Sequence, residues 1–348
     1  MSSIPVGILG ATGMVGQQFI ALLAGHPWFK VDWLGASQRS EGKAFRDAAA
    51  WRLPSHLPDE VAGRSVEAAT PGRAPKLVFS GLDSSVAGDI EADFARAGHI
   101  VVSNSRNYRM EATVPLLVPE INADHLALLD AQGAAFGWKG RIVTNPNCAA
   151  VVMAMALAPL RQFGLKTTIV TTLQAISGAG YPGVASWDIL GNIIPHIGGG
   201  EEEKIETELK KILGSLSGGH VDVHPVTVSA TTTRVPVQNG HTASVSVGLD
   251  HPPAPQAIID AWTSFQGRPQ ALELPSAPPR PVVYLTEANR PQPMLDVNRD
   301  GGMTVTVGRL RPCPLFDYKF VALGHNTIRG AAGAAILNAE LMRCEGRL

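Results

Sequence analysis

Short apolar runs rich in β-branched residues alternate with helical patterns through the first half of the chain. This alternation predicts strands over residues 6–9, 31–35, 77–80 and 100–103, and helices over residues 14–24 and about 87–97. Strands that alternate with helices are typical of a parallel sheet with helices packed on its faces. The first half is therefore predicted to be an α/β domain.

The second half has longer strand patterns and Pro-rich connections. Its strands are predicted over residues 166–175, 221–237 and 242–249, and its connections over residues 252–255 and 275–281. These features favour an antiparallel or mixed sheet in an α+β domain suited to substrate binding and subunit contact. Apolar residues at helical spacing predict a last helix, residues 326–342, that packs back onto the first domain.

Length and composition limit the possible classes of protein. A chain of 348 residues suits two domains, and we assign residues 1–147 and about 326–348 to the first and residues 148–325 to the second. The composition, with 45% hydrophobic and 17% charged residues, is that of a globular protein. A net charge of -1 provides no basic surface for nucleic acid or an anionic membrane.

Cysteine spacing and hydropathy indicate where the protein works. The three cysteines, Cys148, Cys313 and Cys344, form neither an even disulfide framework nor a metal-ligand spacing. His220 and His224 are four residues apart but lack the HExxH carboxylate of a zinc site. The N-terminus lacks signal-peptide features, and no apolar run reaches the roughly 18 residues of a membrane span. We therefore expect a cytoplasmic protein without a metal site.

A glycine-rich turn joins the first predicted strand to the first predicted helix. Glycine permits a tight turn and close approach of backbone N–H groups to a pyrophosphate, and the helix N-terminus favours the anion. The alternative is a glycine-rich turn without a ligand, but the strand–turn–helix context favours a Rossmann-like dinucleotide site. The predicted cofactor contacts are Gly10, Thr12, Gly13, Met14 and Val15 in the GxxGxxG pattern 10–16.

The second predicted strand leads into Ser37-Gln38-Arg39-Ser40. A site that prefers NAD usually places a carboxylate here for the ribose hydroxyls, and this chain has none. A guanidinium and two hydroxyls suit a 2′-phosphate instead. Although Arg39 could be a solvated loop residue, its position predicts NADP as the cofactor, held by Ser37, Arg39 and Ser40.

Cys148 is the candidate nucleophile. It follows a short predicted strand, residues 142–144, and precedes an apolar helix predicted to start at Ala149. The positive end of a helix dipole favours thiolate over thiol, which would make this cysteine reactive. The alternative, a small buried hydrophobic residue, fits Cys313 and Cys344 better.

Five segments occur in the order found in aspartate-semialdehyde dehydrogenases, and the chain resembles that family, especially its archaeal and fungal branch, over nearly its whole length. The segments are the glycine turn 10–16, the pair Asn147-Cys148, residues 174–180, residues 198–204, and Arg234 seven residues before His241. The resemblance implies NADPH-dependent reduction of aspartyl phosphate to aspartate semialdehyde and phosphate through a cysteine thioester. It also implies a homodimer or homotetramer.

The resemblance gives roles to individual residues. Cys148 would form the thioester, Gln174 would orient the acyl group, and His241 would accept the thiol proton and later return a proton to the tetrahedral oxygen. The implied substrate contacts are Asn147, Arg234 for the carboxylate, Glu201 for the amino group, and Arg109 and Lys204 for the phosphate. The implied contacts to the nicotinamide are Ser177, Gly178, Pro182 and Asn326. Without the resemblance, Arg234 could be structural, Glu201 and Lys204 could be a solvated pair, and Arg106 is expected at the surface.

The chain departs from many relatives after the nucleophile, where Ala149 and Ala150 replace Ser and Thr and remove hydroxyls that could cap the helix. One alternative keeps the chemistry but changes the acyl donor, as in malonyl-CoA or succinyl-CoA reductases. An N-acetyl-glutamyl-phosphate reductase is a weaker alternative. A non-catalytic module that binds NADP is another, but it would need neither a nucleophile nor an acid/base.

Overall fold

The computed structural model describes residues 3–348 and contains a parallel sheet of six strands in the order β3-β2-β1-β4-β5-β6. Its strands and helices are β1 Ile4–Leu9, α1 Met14–Leu23, β2 Phe29–Ala36, α2 Phe45–Ala48, α3 Asp59–Ala62, β3 Glu67–Ala68, β4 Leu77–Ser80, α4 Ser84–Ala97, β5 Ile100–Ser103, α5 Pro119–Asn122, α6 Leu129–Phe136 and β6 Arg141–Thr144. The central strands are buried on both faces, which explains why they are almost continuously apolar. This confirms the predicted Rossmann-like fold.

The rest of the chain surrounds a mixed sheet of seven strands in the order β13-β14-β15-β12-β7-β11-β8. Its elements are α7 Cys148–Leu157, β7 Leu165–Gln174, α8 Ser186–Ile189, β8 Ile194–Pro195, α9 Glu201–Ile212, β9 Ser215–Ser217, β10 His220–Asp222, β11 Thr227–Arg234, β12 His241–Leu249, α10 Pro255–Thr263, α11 Arg268–Ala271, β13 Val282–Leu285, α12 Pro293–Asp296, β14 Val305–Pro312, β15 Tyr318–Gly324 and α13 Gly333–Cys344. Strand β12 is antiparallel to β7 and β15, whereas β11 is parallel to β7. The predicted mixed sheet is therefore confirmed.

Helix α7 lies at the centre of this second core. Its residues after Cys148 are all buried, and they pack against α9 and the mixed sheet. A helix that is apolar all round must be buried on every side, so the first residue of α7 is fixed by a rigid element. Helix α13 returns to the parallel sheet, where Ile336, Leu337 and Leu341 join the core that contains Phe79.

Three predicted boundaries are corrected. The strand predicted over residues 221–237 is two strands, β10 and β11, because Pro225 cannot donate a hydrogen bond to a sheet. The helix predicted from Ala149 begins at Cys148. The last helix begins at Gly333, after a π-helical turn at Ile328–Ala332. Within the described residues, the helices are too short or too polar to cross a membrane.

Candidate active site

A cleft of about 990 Å³ runs from the carboxyl ends of β1 and β2 to the N-terminus of α7. Ligand sites of open parallel sheets lie at these strand ends. The predicted residues that line the cleft are Gly10, Thr12, Gly13, Met14, Val15, Ser37, Arg39, Arg109, Asn147, Cys148, Ser177, Gly178, Glu201, Lys204 and Asn326. The glycine turn and the candidate nucleophile therefore share one cavity.

The glycine turn is built for close backbone approach. Gly10 has a φ of +73°, and a Cβ at Gly16 would lie 2.3 Å from the Gly10 carbonyl oxygen. Gly13 caps α1 without a side-chain hydrogen bond, and the first turn of α1 has no acidic residue. Its first N–H groups can therefore serve an anion, which is the arrangement that a pyrophosphate requires.

Of the three residues after β2 that were predicted to contact the cofactor, only two lie at the cleft. Ser37 and Arg39 are exposed and line it. Ser40 is only 9% exposed, because the short 3-10 turn Gln38–Ser40 directs it into the protein, so the prediction that Ser40 contacts the cofactor is corrected.

The opposite wall comes from the loop after β7. Asn326 fixes it by donating from Nδ2 to Ser177 Oγ at 2.8 Å and accepting from the Gly240 N–H at 2.8 Å. Pro182 is exposed and does not line the cleft, whereas its neighbour Tyr181 does. The sequence did not reveal this tyrosine, whose ring lies 4.0 Å from the guanidinium carbon of Arg52 on the other wall.

Cys148 is the first residue of α7, and Asn147 is its N-cap. The Asn147 Oδ1 atom accepts hydrogen bonds from the N–H groups of Ala149 at 2.9 Å and Ala150 at 3.2 Å. The Asn147 side chain therefore caps α7, a role that hydroxyls at positions 149 and 150 could have in relatives. The π-helical turn passes close to the nucleophile, since a Cβ at Gly330 would lie 2.7 Å from Cys148 Cβ.

The sulfur of Cys148 lies 3.1 Å from Nε2 of His241. The other ring nitrogen, Nδ1, accepts a hydrogen bond from the Ala175 N–H at 3.1 Å. A ring nitrogen that accepts carries no proton, so the neutral imidazole has its proton on Nε2, facing the sulfur. This geometry supports the predicted proton donation by His241, whereas its acceptance of the thiol proton stays a prediction.

Burial controls the charge of this pair. It raises the pKa of the Cys148 thiol to about 12, and the Glu201 carboxylate adds to the rise while Arg109 and Arg234 oppose it. Burial also lowers the pKa of His241 to about 3, with Arg234 adding to the fall. Desolvation therefore opposes the thiolate that the helix N-terminus favours, and the expected preference for thiolate stays a prediction.

His241, Arg234 and Gln174 lie together behind the cleft wall, where β7 and β11 end and β12 begins. Arg234 pairs in register with Gln174 and donates from Nη1 to the Ala175 carbonyl at 2.7 Å. Gln174 is 1% exposed, and its amide donates to Thr172 Oγ1 at 3.3 Å. The structure therefore brings Arg234 close to His241, the candidate acid/base, but holds the Gln174 side chain away from the cleft.

Helix α9 presents two charged residues to the cleft. Glu201 accepts from Asn147 Nδ2 at 2.8 Å and forms an ion pair with Lys204 at 3.2 Å. Burial alone would raise the pKa of Glu201, but the Asn147 hydrogen bond and the Lys204 charge bring it below its ordinary value. Glu201 is thus an anion beside the nucleophile, suited to a cationic group of a substrate.

Arg109 and Arg106 both line the cleft, but they differ in burial. Arg109 is 7% exposed and lines the cleft, where Nη1 contacts Glu208 at 2.9 Å and Nη2 donates to the Asn104 carbonyl at 2.7 Å. Arg106 is exposed and donates to the Gly199 carbonyl. The sequence missed Glu208, since a glutamate within a run of charged residues looked solvated.

Comparison with known proteins shows the family to which the chain is similar. Family models for the semialdehyde dehydrogenase NAD binding domain and dimerisation domain match residues 5–129 and 157–329. The aspartate-semialdehyde dehydrogenase of Archaeoglobus fulgidus is 45% identical over 338 residues, which cover 97% of both chains. That of Cryptococcus neoformans is 48% identical over 353 residues, covering 97% of this chain and 96% of the relative.

Solved structures show the same similarity. The aspartate-semialdehyde dehydrogenase of Candida albicans, solved with NADP, superposes with a TM-score of 0.91 at 41% identity and covers the whole of both chains. A Vibrio cholerae aspartate-semialdehyde dehydrogenase II gives a TM-score of 0.77 at 25% identity, over 99% of both chains. The chain belongs to the aspartate-semialdehyde dehydrogenase family.

Proposed function

We propose that the chain reduces L-aspartyl 4-phosphate to L-aspartate 4-semialdehyde and inorganic phosphate with NADPH, and catalyses the reverse reaction. The observation that carries the proposal is the 3.1 Å contact between Cys148 Sγ and His241 Nε2 beside a cleft that also contains the glycine turn. A cysteine and an imidazole beside a dinucleotide site suit acyl transfer followed by reduction. Family membership supports the same reaction.

The charged residues suit the ends of this substrate. The Arg234 guanidinium provides a planar fork for the α-carboxylate, and the Glu201 carboxylate suits the α-amino group. Arg109 and Lys204 supply positive charge for the phosphate at the end of the cleft that Cys148 occupies. Pairing of these groups with the substrate's own charges would hold the acyl carbon next to the sulfur, which lowers the entropic part of the barrier.

The proposed reaction has two chemical stages. The Cys148 sulfur bonds to the acyl carbon, the bond from that carbon to the phosphate oxygen breaks, and the thiol proton leaves with the phosphate. Phosphate leaves and a thioester remains on Cys148. When bound, NADPH supplies the hydride for the second stage. The Nε2–H group of His241 would stabilise the negative charge that develops on the carbonyl oxygen during this transfer. The carbonyl then re-forms as the carbon–sulfur bond breaks, which releases the aldehyde, and the Cys148 sulfur takes up a proton from water.

NADPH fits the residues of the cleft. A Cβ at Gly10 or Gly16 would collide with the backbone of Gly81 or of the turn itself, so glycine keeps the turn tight and lets its N–H groups face a pyrophosphate. Ser37 and Arg39 would hold the 2′-phosphate, and Ser177, Gly178 and Asn326 would border the nicotinamide end. We assign residues 1–147 and about 326–348 to an NADP-binding domain, and residues 148–325 to a catalytic and subunit-contact domain.

The protein is also proposed to be a cytoplasmic homodimer or homotetramer. One face of β7 is exposed and carries Ile169 and Leu173, which are 45% and 39% exposed. An apolar sheet face of this kind suits contact with a second copy, and the family's dimerisation domain spans this strand. Light scattering tests this expectation, and a purely monomeric mass at micromolar concentration would contradict it.

The proposed function is tested by following NADPH formation from aspartate semialdehyde. We expect formation to need both NADP and inorganic phosphate, and Cys148→Ala to abolish it while leaving NADP binding unchanged. A parallel assay replaces phosphate with coenzyme A, which is the acceptor of the acyl-CoA reductases. Turnover with coenzyme A but not with phosphate would overturn the proposal.

A further inference from the structure

A ladder of charged residues follows one face of α9. Glu201, Lys204, Glu208 and Lys211 are spaced three, four and three residues apart, so they lie in one row along the helix. The first two reach the cleft. Glu208 and Lys211 are 2% and 4% exposed, and the reaction proposed above does not use them.

Glu208 joins two parts of the site that are distant in sequence. Its Oε1 atom accepts from Arg109 Nη1 at 2.9 Å, and its Oε2 atom accepts from the main-chain N–H of Asn147 at 2.6 Å. One carboxylate therefore holds both the phosphate arginine and the residue before the nucleophile. Charge-assisted bonds of this kind are strong and fix geometry.

The main chain around these groups is held by other contacts. The Lys211 ammonium donates to the carbonyl oxygens of Arg109 at 2.7 Å, Glu111 at 2.7 Å and Val114 at 2.9 Å. The Asn147 side chain is held separately by Glu201. Glu208 and the Asn104 carbonyl therefore direct the Arg109 guanidinium together, and Glu208 also holds the Asn147 N–H, while its neighbours maintain the backbone.

We propose that Glu208 is a positioning residue that sets the distance between the phosphate arginine and the Cys148 turn, so that phosphate and thioester meet at one point. The proposal rests on the function proposed above. Loss of Glu208 would leave a buried guanidinium edge and a buried main-chain N–H without an acceptor. Both would then shift, and the phosphate step would suffer more than cofactor binding.

The test compares Glu208→Gln and Glu208→Asp with a matched control, Glu203→Gln, which removes a charge from an exposed residue of the same helix. Three quantities are measured: the affinity for NADP, the KM for phosphate, and the rate at which iodoacetamide alkylates Cys148. We expect the Glu208 variants to raise the KM for phosphate about tenfold and to change the alkylation rate at least threefold, with NADP affinity within about twofold of wild type. The control should match wild type in all three.

Glutamine at position 208 has one acceptor oxygen, so it can satisfy only one of the two partners. Aspartate keeps the negative charge, but its side chain is one methylene too short to reach both Arg109 and the Asn147 N–H. If the glutamine variant does not fold, the aspartate variant provides the test. An unchanged KM for phosphate and an unchanged alkylation rate would overturn the proposal, as would loss of NADP binding in both variants. Alkylation needs no turnover, so it tests Glu208 even if wild type fails to use phosphate, which would refute the proposed function instead.

Discussion

Replacing Gly178 with alanine should displace His241, the proposed acid/base, and slow the reaction without unfolding the protein. A Cβ at this position would lie 2.8 Å from Arg234 Nη1 and 3.0 Å from His241 Cε1. Ordinary contact begins at 3.4 Å, so the two side chains must move by about 0.6 Å and 0.4 Å. Both atoms belong to the ends of side chains, and the stability cost should stay within about 1 kcal/mol.

The catalytic cost should be larger than the stability cost. His241 Nε2 now lies 3.1 Å from the sulfur, and movement of the ring weakens that contact. A misplacement of about 1 Å can cost about 100-fold in rate, so roughly half of that displacement should lower kcat about tenfold.

The assay is the rate of phosphate-dependent NADPH formation, with thermal unfolding measured in parallel. Gly198→Ala is the matched control, because a Cβ there would have no atom within 4 Å and its backbone needs no positive φ. If Gly178→Ala kept kcat within about twofold of this control, the claim that Gly178 sets the positions of His241 and Arg234 would be refuted.

Three further predictions follow from charge and burial. Arg39→Ala should raise the KM for NADPH about tenfold and leave the KM for NADH unchanged, since only NADPH has the 2′-phosphate. An equal rise in both KM values in steady-state assays would exclude a contact between Arg39 and that phosphate. Because burial raises the pKa of Cys148 to about 12, the thiolate fraction and the rate of iodoacetamide alkylation should rise about tenfold per pH unit from pH 7 to 9; a plateau near pH 8 would show a lower pKa. Glu120→Ala should destabilise the fold by about 3–5 kcal/mol in urea unfolding, because it leaves the fully buried Arg329 without its bidentate partner; a change below about 1 kcal/mol would contradict this.

Local patterns made much of the fold predictable. The glycine turn, the apolar strands and the apolar α7 each show their structure over a few neighbouring residues, because turn chemistry and periodicity are local properties. The break at Pro225 was also visible in the sequence, but the apolar residues on both sides of it suggested one long strand. The π-helical turn at Ile328–Ala332 was not predictable, since no local pattern of residue types distinguishes it from an α-helix.

The contacts within the site depend on residues far apart in the chain. Cys148 and His241 are 93 residues apart, and Asn147 and Glu208 are 61 apart, so composition and spacing alone could not join them. Resemblance to the family supplied the first pair but not the second. One signal for Glu208 was present: it lies on the same helical face as the apolar residues Ile205, Leu209 and Ile212, where a solvated charge would not belong.

The charge state of Cys148 shows why burial must be known before reactivity is inferred. Its place at a helix N-terminus favours thiolate, and this was all that the sequence could show. The fold adds desolvation and the nearby Glu201 carboxylate, which act in the opposite direction. The arginines Arg109 and Arg234 lower the pKa, but they do not reverse its rise.

The central claim is that the sulfur of Cys148 carries the acyl group. Mass spectrometry of the protein incubated with aspartate semialdehyde and NADP, without phosphate, tests it directly. We predict release of about one NADPH per chain and an aspartyl adduct on the peptide that contains Cys148, removed when phosphate is added. An unmodified Cys148 peptide during NADPH formation, or an adduct on another residue, would contradict the account.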